Sequence, residues 1–375
     1  MTAVEERAPV VDQALRDRIA AQAAAVDRER AFPRASLEAL ASSGALGLTV
    51  PTEHGGAGGG LTMLAEACET VGGACASTGM THLMHLVCAA TVAGGGGPRA
   101  GELLGALARG ERIGTLAFSE RGTGAHFHAP ELAATRDGDG RLRISGRKSF
   151  VTSGGHADLY LLLLQGDDGP DCCALDGDAP GLSFDGRWEG LGMAGNASVA
   201  MVLDGVTLGA RDRIGAPGGG AELVFGIVAP VFLVGLAAVN VGIAAAAQRA
   251  AVEHVRGRAY GDGSTLAQVQ AIQHTLADAE LTTRQARLLV REAAALGDAG
   301  DPEALVAIMA AKVAATEAAR SVTERALEVC GGQGYTPALP LERHLRDARA
   351  GAVMAPTNGV LRSWIGKSLA GLPVP

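Results

Sequence analysis

The sequence predicts an α+β fold in three parts: an N-terminal helical domain over 1–111, a middle β domain over 112–218 and a C-terminal helical bundle over 219–375. Three observations predict it. The first third has helical spacing. Near Arg112 the texture changes to short β-rich runs separated by turn residues. After Gly215-Ala216-Pro217-Gly218-Gly219-Gly220, a hinge-like stretch, long Ala- and Leu-rich helical patterns return.

Residues 11–45 read as helix broken at Pro33, and GLTVPTEHGGAGGG (47–60) as a strand-like piece followed by a glycine turn. That turn has neither the Lys nor the Ser/Thr of a phosphate loop. Residues 61–110 read as helices split at Gly94–Pro98. The strand signals are IGTLAFSE, RLRISGRKSFV, DLYLLLLQ and ASVAMVLDGVTL, parted by turns such as DGDG (137–140). Helical patterns at 221–258, 264–297, 302–330 and 353–370, joined by short loops, suggest a bundle.

A chain of 375 residues implies two or three domains, and 47% hydrophobic content supplies a large core. The net charge of -8, with no basic run interleaved with aromatics, argues against nucleic-acid binding. The acidic N-terminus MTAVEERAPV does not read as a signal peptide. Six cysteines without zinc-site spacing point to a reduced, cytoplasmic protein. Leu223–Ala247 carries no charge and is long enough to span a membrane, yet Pro230, Asn240 and its Ala content favour a buried helix. His82 with His85, and His126 with His128, could ligate a metal only if the fold joined the pairs, and no metal site is expected.

Four motifs carry chemistry. Phe118-Ser119-Glu120-Arg121-Gly122-Thr123-Gly124-Ala125-His126 follows a strand. Gly146-Arg147-Lys148-Ser149-Phe150-Val151-Thr152-Ser153-Gly154-Gly155-His156-Ala157-Asp158 offers an aromatic and a hydroxyl. Leu191-Gly192-Met193-Ala194-Gly195-Asn196-Ala197-Ser198 is the third. Cys330-Gly331-Gly332-Gln333-Gly334-Tyr335 followed by Leu341-Glu342-Arg343-His344-Leu345-Arg346-Asp347-Ala348 is the most specific. Together and in this order they resemble the acyl-CoA dehydrogenase superfamily over nearly the whole chain. The resemblance implies a middle domain that is β-barrel-like and a C-terminal four-helix bundle. It implies FAD as cofactor, with Ser119, Phe150, Thr152, Gly331, Gly332, Gly334 and Thr357 around it. It also implies a homo-oligomer, a dimer or tetramer, in which the glycine turn meets the flavin diphosphate of a neighbouring subunit. A flat ring suits an aromatic wall with a few donors at its edge.

The resemblance also exposes losses. The usual catalytic Glu falls on Ala355, and the substrate-binding Arg on Leu233. Arg256 and Arg258 bracket the expected cofactor Arg. Glu328 stands where a Gln commonly touches the diphosphate, and a carboxylate there repels it. A positioned base contributes about 10²–10⁴-fold, which Ala355 cannot supply; Glu120 and His126 are the remaining candidates. Three readings follow. One is a flavin oxidoreductase acting on an acyl thioester or related metabolite, free or carrier-bound, with a relocated base. The others are a flavin monooxygenase on the same fold and a flavin-free member with non-redox or binding function.

Overall fold

The computed structural model describes residues 10–124, 126–138 and 141–374. The acidic leader 1–9, Ala125 of the first motif and the tip of the DGDG turn lie outside the described residues. Asp12 caps α1 (Gln13–Glu29), its carboxylate accepting from Leu15 N at 2.8 Å. Leu15, Ile19, Ala23 and Val26 form the buried stripe of α1. After Pro33 come α2 (Arg34–Ser42), α3 (Leu61–Ala74), α4 (Ala76–Gly95) and α5 (Ala100–Ala108). The strand expected at GLTV does not form. Ala45–Gly47 and Thr52–His54 are 3₁₀ turns, and the segment folds back on itself, with Gly58 N bonded to Val50 O and Gly59 N to Leu48 O, both at 2.8 Å. Gly56 permits this, because a Cβ there would lie 2.1 Å from Val50 O.

Among the described residues the middle region has eight strands: β1 (Gly114–Ala117), β2 (Ala134–Arg136), β3 (Leu142–Val151), β4 (Leu159–Gln165), β5 (Pro170–Asp176), β6 (Leu182–Asp185), β7 (Val199–Leu208) and β8 (Arg213–Ile214). They form two four-stranded sheets, ordered β1-β4-β5-β8 and β2-β3-β7-β6. The run LYLLLL of β4 is buried throughout, as a strand covered on both faces requires. Arg99 bridges to Asp176 (2.9 Å) and Asp212 (3.0 Å), and Arg112 adds a 2.6 Å bond to Asp176. These pairs fix the base of α5 to the first sheet.

The C-terminal region opens with α6 (Gly220–Leu223) and a π-helical turn, Val224–Val228. It continues through α7 (Ala229–Gly257), α8 (Gln270–Ala299), α9 (Ala304–Gly334), α10 (Leu341–Asp347), α11 (Ala350–Val353) and α12 (Asn358–Leu369). The apolar span is therefore the core helix: α7 packs on α3, α8 and α9, and Leu233–Ala244 is buried without a break. By length and composition it could cross a membrane, but 67% of its most apolar window is buried inside the bundle. Backbone touches backbone where α3 crosses it; a Cβ at Gly242 would lie 2.2 Å from Glu69 O, and one at Gly73 3.0 Å from Gly242 O.

One clasp joins all three regions. Arg346 of α10 holds Asp27 of α1 through two bonds, 2.9 and 2.6 Å, and Glu342 through 2.8 and 3.1 Å. Its neighbour Asp347, buried, accepts from Met193 N at 2.6 Å. Gly192 presses on the same turn, and a Cβ there would lie 2.4 Å from the Arg346 carbonyl. Gly192→Ala should therefore lower the unfolding free energy by about 1–3 kcal/mol, as overpacking does. Gly366→Ala, in open space on α12, should instead leave the denaturation midpoint unchanged or raise it. Urea unfolding followed by circular dichroism distinguishes the two.

Candidate active site

The first two motifs meet at one end of the middle region. Ser119 and Glu120 follow β1, and Ser119 O accepts from Ser149 N (2.8 Å), which draws the end of β3 alongside. The bend there is sharp: Phe150 has φ 52° and Ser153 φ 60°. The bend turns Phe150 outward. Its ring is 71% exposed and meets Trp188 edge-on at 6.4 Å. The Thr152 hydroxyl is buried and bonded to Ser198 Oγ at 3.0 Å, while Thr152 O accepts from Thr115 Oγ1 at 2.9 Å. Ser198 closes the third motif, whereas Trp188 was not singled out in the sequence; no local pattern sets it apart.

Glu120, a candidate base, is a structural anchor. Lys148, fully buried, donates to Glu120 Oε1 and to Leu163 O, each at 2.5 Å. Glu120 Oε2 accepts from Glu131 N (3.0 Å) and Leu132 N (3.1 Å), closing the loop between β1 and β2. Burial lowers the Lys148 pKa, and Glu120 works against that shift. Both carboxylate oxygens of Glu120 are thus committed to holding this loop. His126 stands exposed on the same loop, its ring 5.8 Å from that of His128, which packs on Phe225 of the π turn at 5.0 Å. The fold keeps the other histidines apart. His82 Nε2 bonds Ala45 O (3.0 Å), and His85 bonds Leu46 O through Nε2 (3.1 Å) and Gly114 N through Nδ1 (3.1 Å). Burial lowers their pKa values to about 4 and about 3. Among the described residues no three His, Cys, Asp or Glu side chains cluster as a metal site.

The glycine turn sits at the C-terminal end of α9. The helical pattern of α9 runs on to Gly334, but its backbone breaks at Gly331 (φ 53°, ψ −136°). Gly331 and Gly332 are exposed, with no atom within 4 Å of where a Cβ would stand, and Tyr335 is 79% exposed. Glu328, one turn earlier, is exposed, as are Arg256 and Arg258 at the end of α7. The open Phe150 face and the unobstructed glycine turn fit a flavin and its diphosphate. The α9 helix packs chiefly on α7, α8, α10, α11 and α12.

Ala355 lies half-buried between α11 and α12, and Leu233 is buried in the core. Neither offers a polar group. Thr357 caps α12, its Oγ1 accepting from Val360 N at 3.4 Å. Beneath this segment lies Lys312, fully buried on α9, donating to Met354 O (3.3 Å), Pro356 O (3.0 Å) and Asn358 Oδ1 (3.0 Å). Its signal was present in the sequence: Lys312 falls four residues after Ile308 and four before Thr316, on the buried stripe of α9.

Two measurements check these joints. Lys148→Met strands a buried carboxylate and should cost about 3–5 kcal/mol in denaturant unfolding, much of it regained when Glu120→Gln is added. Burial lowers the Lys312 pKa to about 8. The unfolded chain keeps its proton up to a pKa of about 10.4, so between the two values it binds more protons than the folded protein. Stability should accordingly rise by about 3 kcal/mol from pH 8 to 10.5 through this group, a rise that Lys312→Met removes from the difference curve.

Comparison with known proteins agrees with this architecture. Family models described as acyl-CoA dehydrogenase N-terminal, middle and C-terminal domains match residues 5–111, 115–206 and 234–370. The chain is 31% identical over 347 residues to the short-chain specific acyl-CoA dehydrogenase of Bos taurus mitochondria, covering 91% of this chain and 83% of the relative. It is also 31% identical over 369 residues to cyclohex-1-ene-1-carbonyl-CoA dehydrogenase of Geobacter metallireducens, covering 96% of each. The solved butyryl-CoA dehydrogenase of Megasphaera elsdenii superposes with a TM-score of 0.89 at 26% identity, over 95% of this chain and 96% of that one. Three matched domains in order, on a helix–sheet–helix chain that presents an aromatic at a bent strand end, make this protein a member of the acyl-CoA dehydrogenase superfamily.

Proposed function

We propose that the protein is an FAD-dependent oxidoreductase acting on a CH–CH bond of an acyl thioester or related metabolite, free or carrier-bound, with no base at position 355. The observation that carries this reading is Phe150. Of seven phenylalanines it alone is strongly exposed, on a bent backbone anchored by Lys148 and Glu120. FAD, when bound, supplies the two-electron acceptor. Phe150 would wall its ring, Ser119 and Thr152 would bond its edge, and Thr357 would complete the site. Gly331, Gly332 and Gly334 would receive its diphosphate. Arg256 or Arg258, both exposed, would stand in for the expected cofactor Arg.

The reading includes a homo-oligomer, dimer or tetramer, in which the exposed glycine turn of one copy completes another's site. Exposed Leu281, Leu288 and Tyr335 support a further interface. The division into 1–111, 112–218 and 219–375 belongs to the same reading, as does a cytoplasmic setting, supported by six buried, free cysteines. With Glu120 committed to Lys148, His126 is the side chain assigned to receive the proton.

The visible absorption spectrum of the purified protein, before and after FAD is added, tests the proposal. A bound-flavin spectrum that bleaches anaerobically with the acyl substrate is expected. A colourless protein that gains no flavin would sink it. Consumption of reduced flavin with oxygen, without dehydrogenation of a substrate, would replace it by monooxygenation. His126→Gln should lower kcat/KM by about 10²–10⁴-fold. Ala355→Glu should bring no gain on the true substrate, and a large gain would show a site that merely lost its base.

A further inference from the structure

The bundle carries a buried cation without a counter-charge, beside the position where the resemblance expects a carboxylate. Lys312 makes three hydrogen bonds, all to neutral oxygens. No carboxylate pairs with it among the described residues, and burial lowers its pKa. With that pKa at about 8 the ammonium is charged at neutral pH. Two of the oxygens it holds, Met354 O and Pro356 O, flank Ala355 directly.

The surrounding floor is polar and neutral. Asn358 Nδ2 donates to Thr316 Oγ1 at 2.9 Å, and the Thr316 hydroxyl donates to Lys312 O at 2.9 Å. On the α7 side Asn240 is fully buried, its Oδ1 without a partner, and a Cβ at Gly351 would lie 2.6 Å from its Nδ2. Carbonyl dipoles offset part of the cost of burying the ammonium, but one full positive charge remains. A negative group above Ala355 would be drawn to it across low-dielectric protein.

We propose that the acyl group of the substrate carries a free carboxylate that lies over Ala355, with Lys312 as the positioning residue that selects it. This rests on the flavoprotein reading of the site and narrows its substrate class to dicarboxylic acyl thioesters. The reaction itself is unchanged; Lys312 acts through charge, across the 354–356 backbone.

Calorimetric titration of the flavin-loaded protein with pantetheine thioesters tests it. Pantetheine is the part that coenzyme A and acyl carrier proteins share. Three pairs match chain length: malonyl with propionyl, succinyl with butyryl, and glutaryl with valeryl. At least one carboxylate-bearing member should bind ten or more times tighter than its neutral partner. Ala355→Glu should reverse that order, and Lys312→Met should erase it. Equal affinity in every pair, tighter binding of the neutral members, or no binding of any thioester by flavin-loaded protein overturns the proposal and leaves Lys312 a loop anchor only. Failure to load flavin at all overturns the function instead. Because Lys312→Met also removes a loop anchor, Ala355→Glu carries the decision should that variant misfold.

Discussion

The clasp of Arg346 and Asp347 is the constraint from which the rest of the arrangement follows. Two adjacent side chains on one helix turn reach different regions: Arg346 takes the Asp27 carboxylate, and Asp347 takes the Met193 amide. Because Arg346 binds two carboxylates, each through a pair of bonds, its direction is fixed as well as its position. Gly192 lets the middle region close to backbone contact. The N-terminal, middle and C-terminal regions thus meet at one helix turn.

Charge inside this molecule is used at joints. Arg99 with Asp176 and Asp212 binds helix to sheet, and Lys148 with Glu120 closes a loop under the aromatic shelf. Each of these cations has an acid as partner. Lys312 has none, and that contrast separates it from the structural pairs. Removing a partner from a buried pair is costly, so an unpaired buried lysine needs a reason beyond packing.

Much of the fold was legible because its signals are contiguous. The change from helical spacing to short strands at Arg112, and back at Gly220, tracks the last N-terminal helix, β1 and α6 closely. The second motif was readable because Phe150 and Thr152 lie together at one strand end. The tie of Glu120 to Lys148 was not legible, because the two lie 28 residues apart and no spacing rule links a strand end to a neighbouring strand. GLTV looked like a strand on side-chain preference, whereas glycine-permitted backbone hydrogen bonds decided its shape. The clasp was visible only as two separate motifs, since Met193 and Asp347 stand 154 residues apart.

The crossing of α3 over α7 bears on how the chain is made. The glycines of α3 leave the ribosome early, but Gly242, against which Gly73 packs, follows about 170 residues later. At a synthesis rate of about 5–20 residues per second, the apolar face of α3 waits roughly 10–30 seconds for its partner. During that interval α3 is a half-made interface, open to chaperones or to a neighbouring nascent chain on the same message.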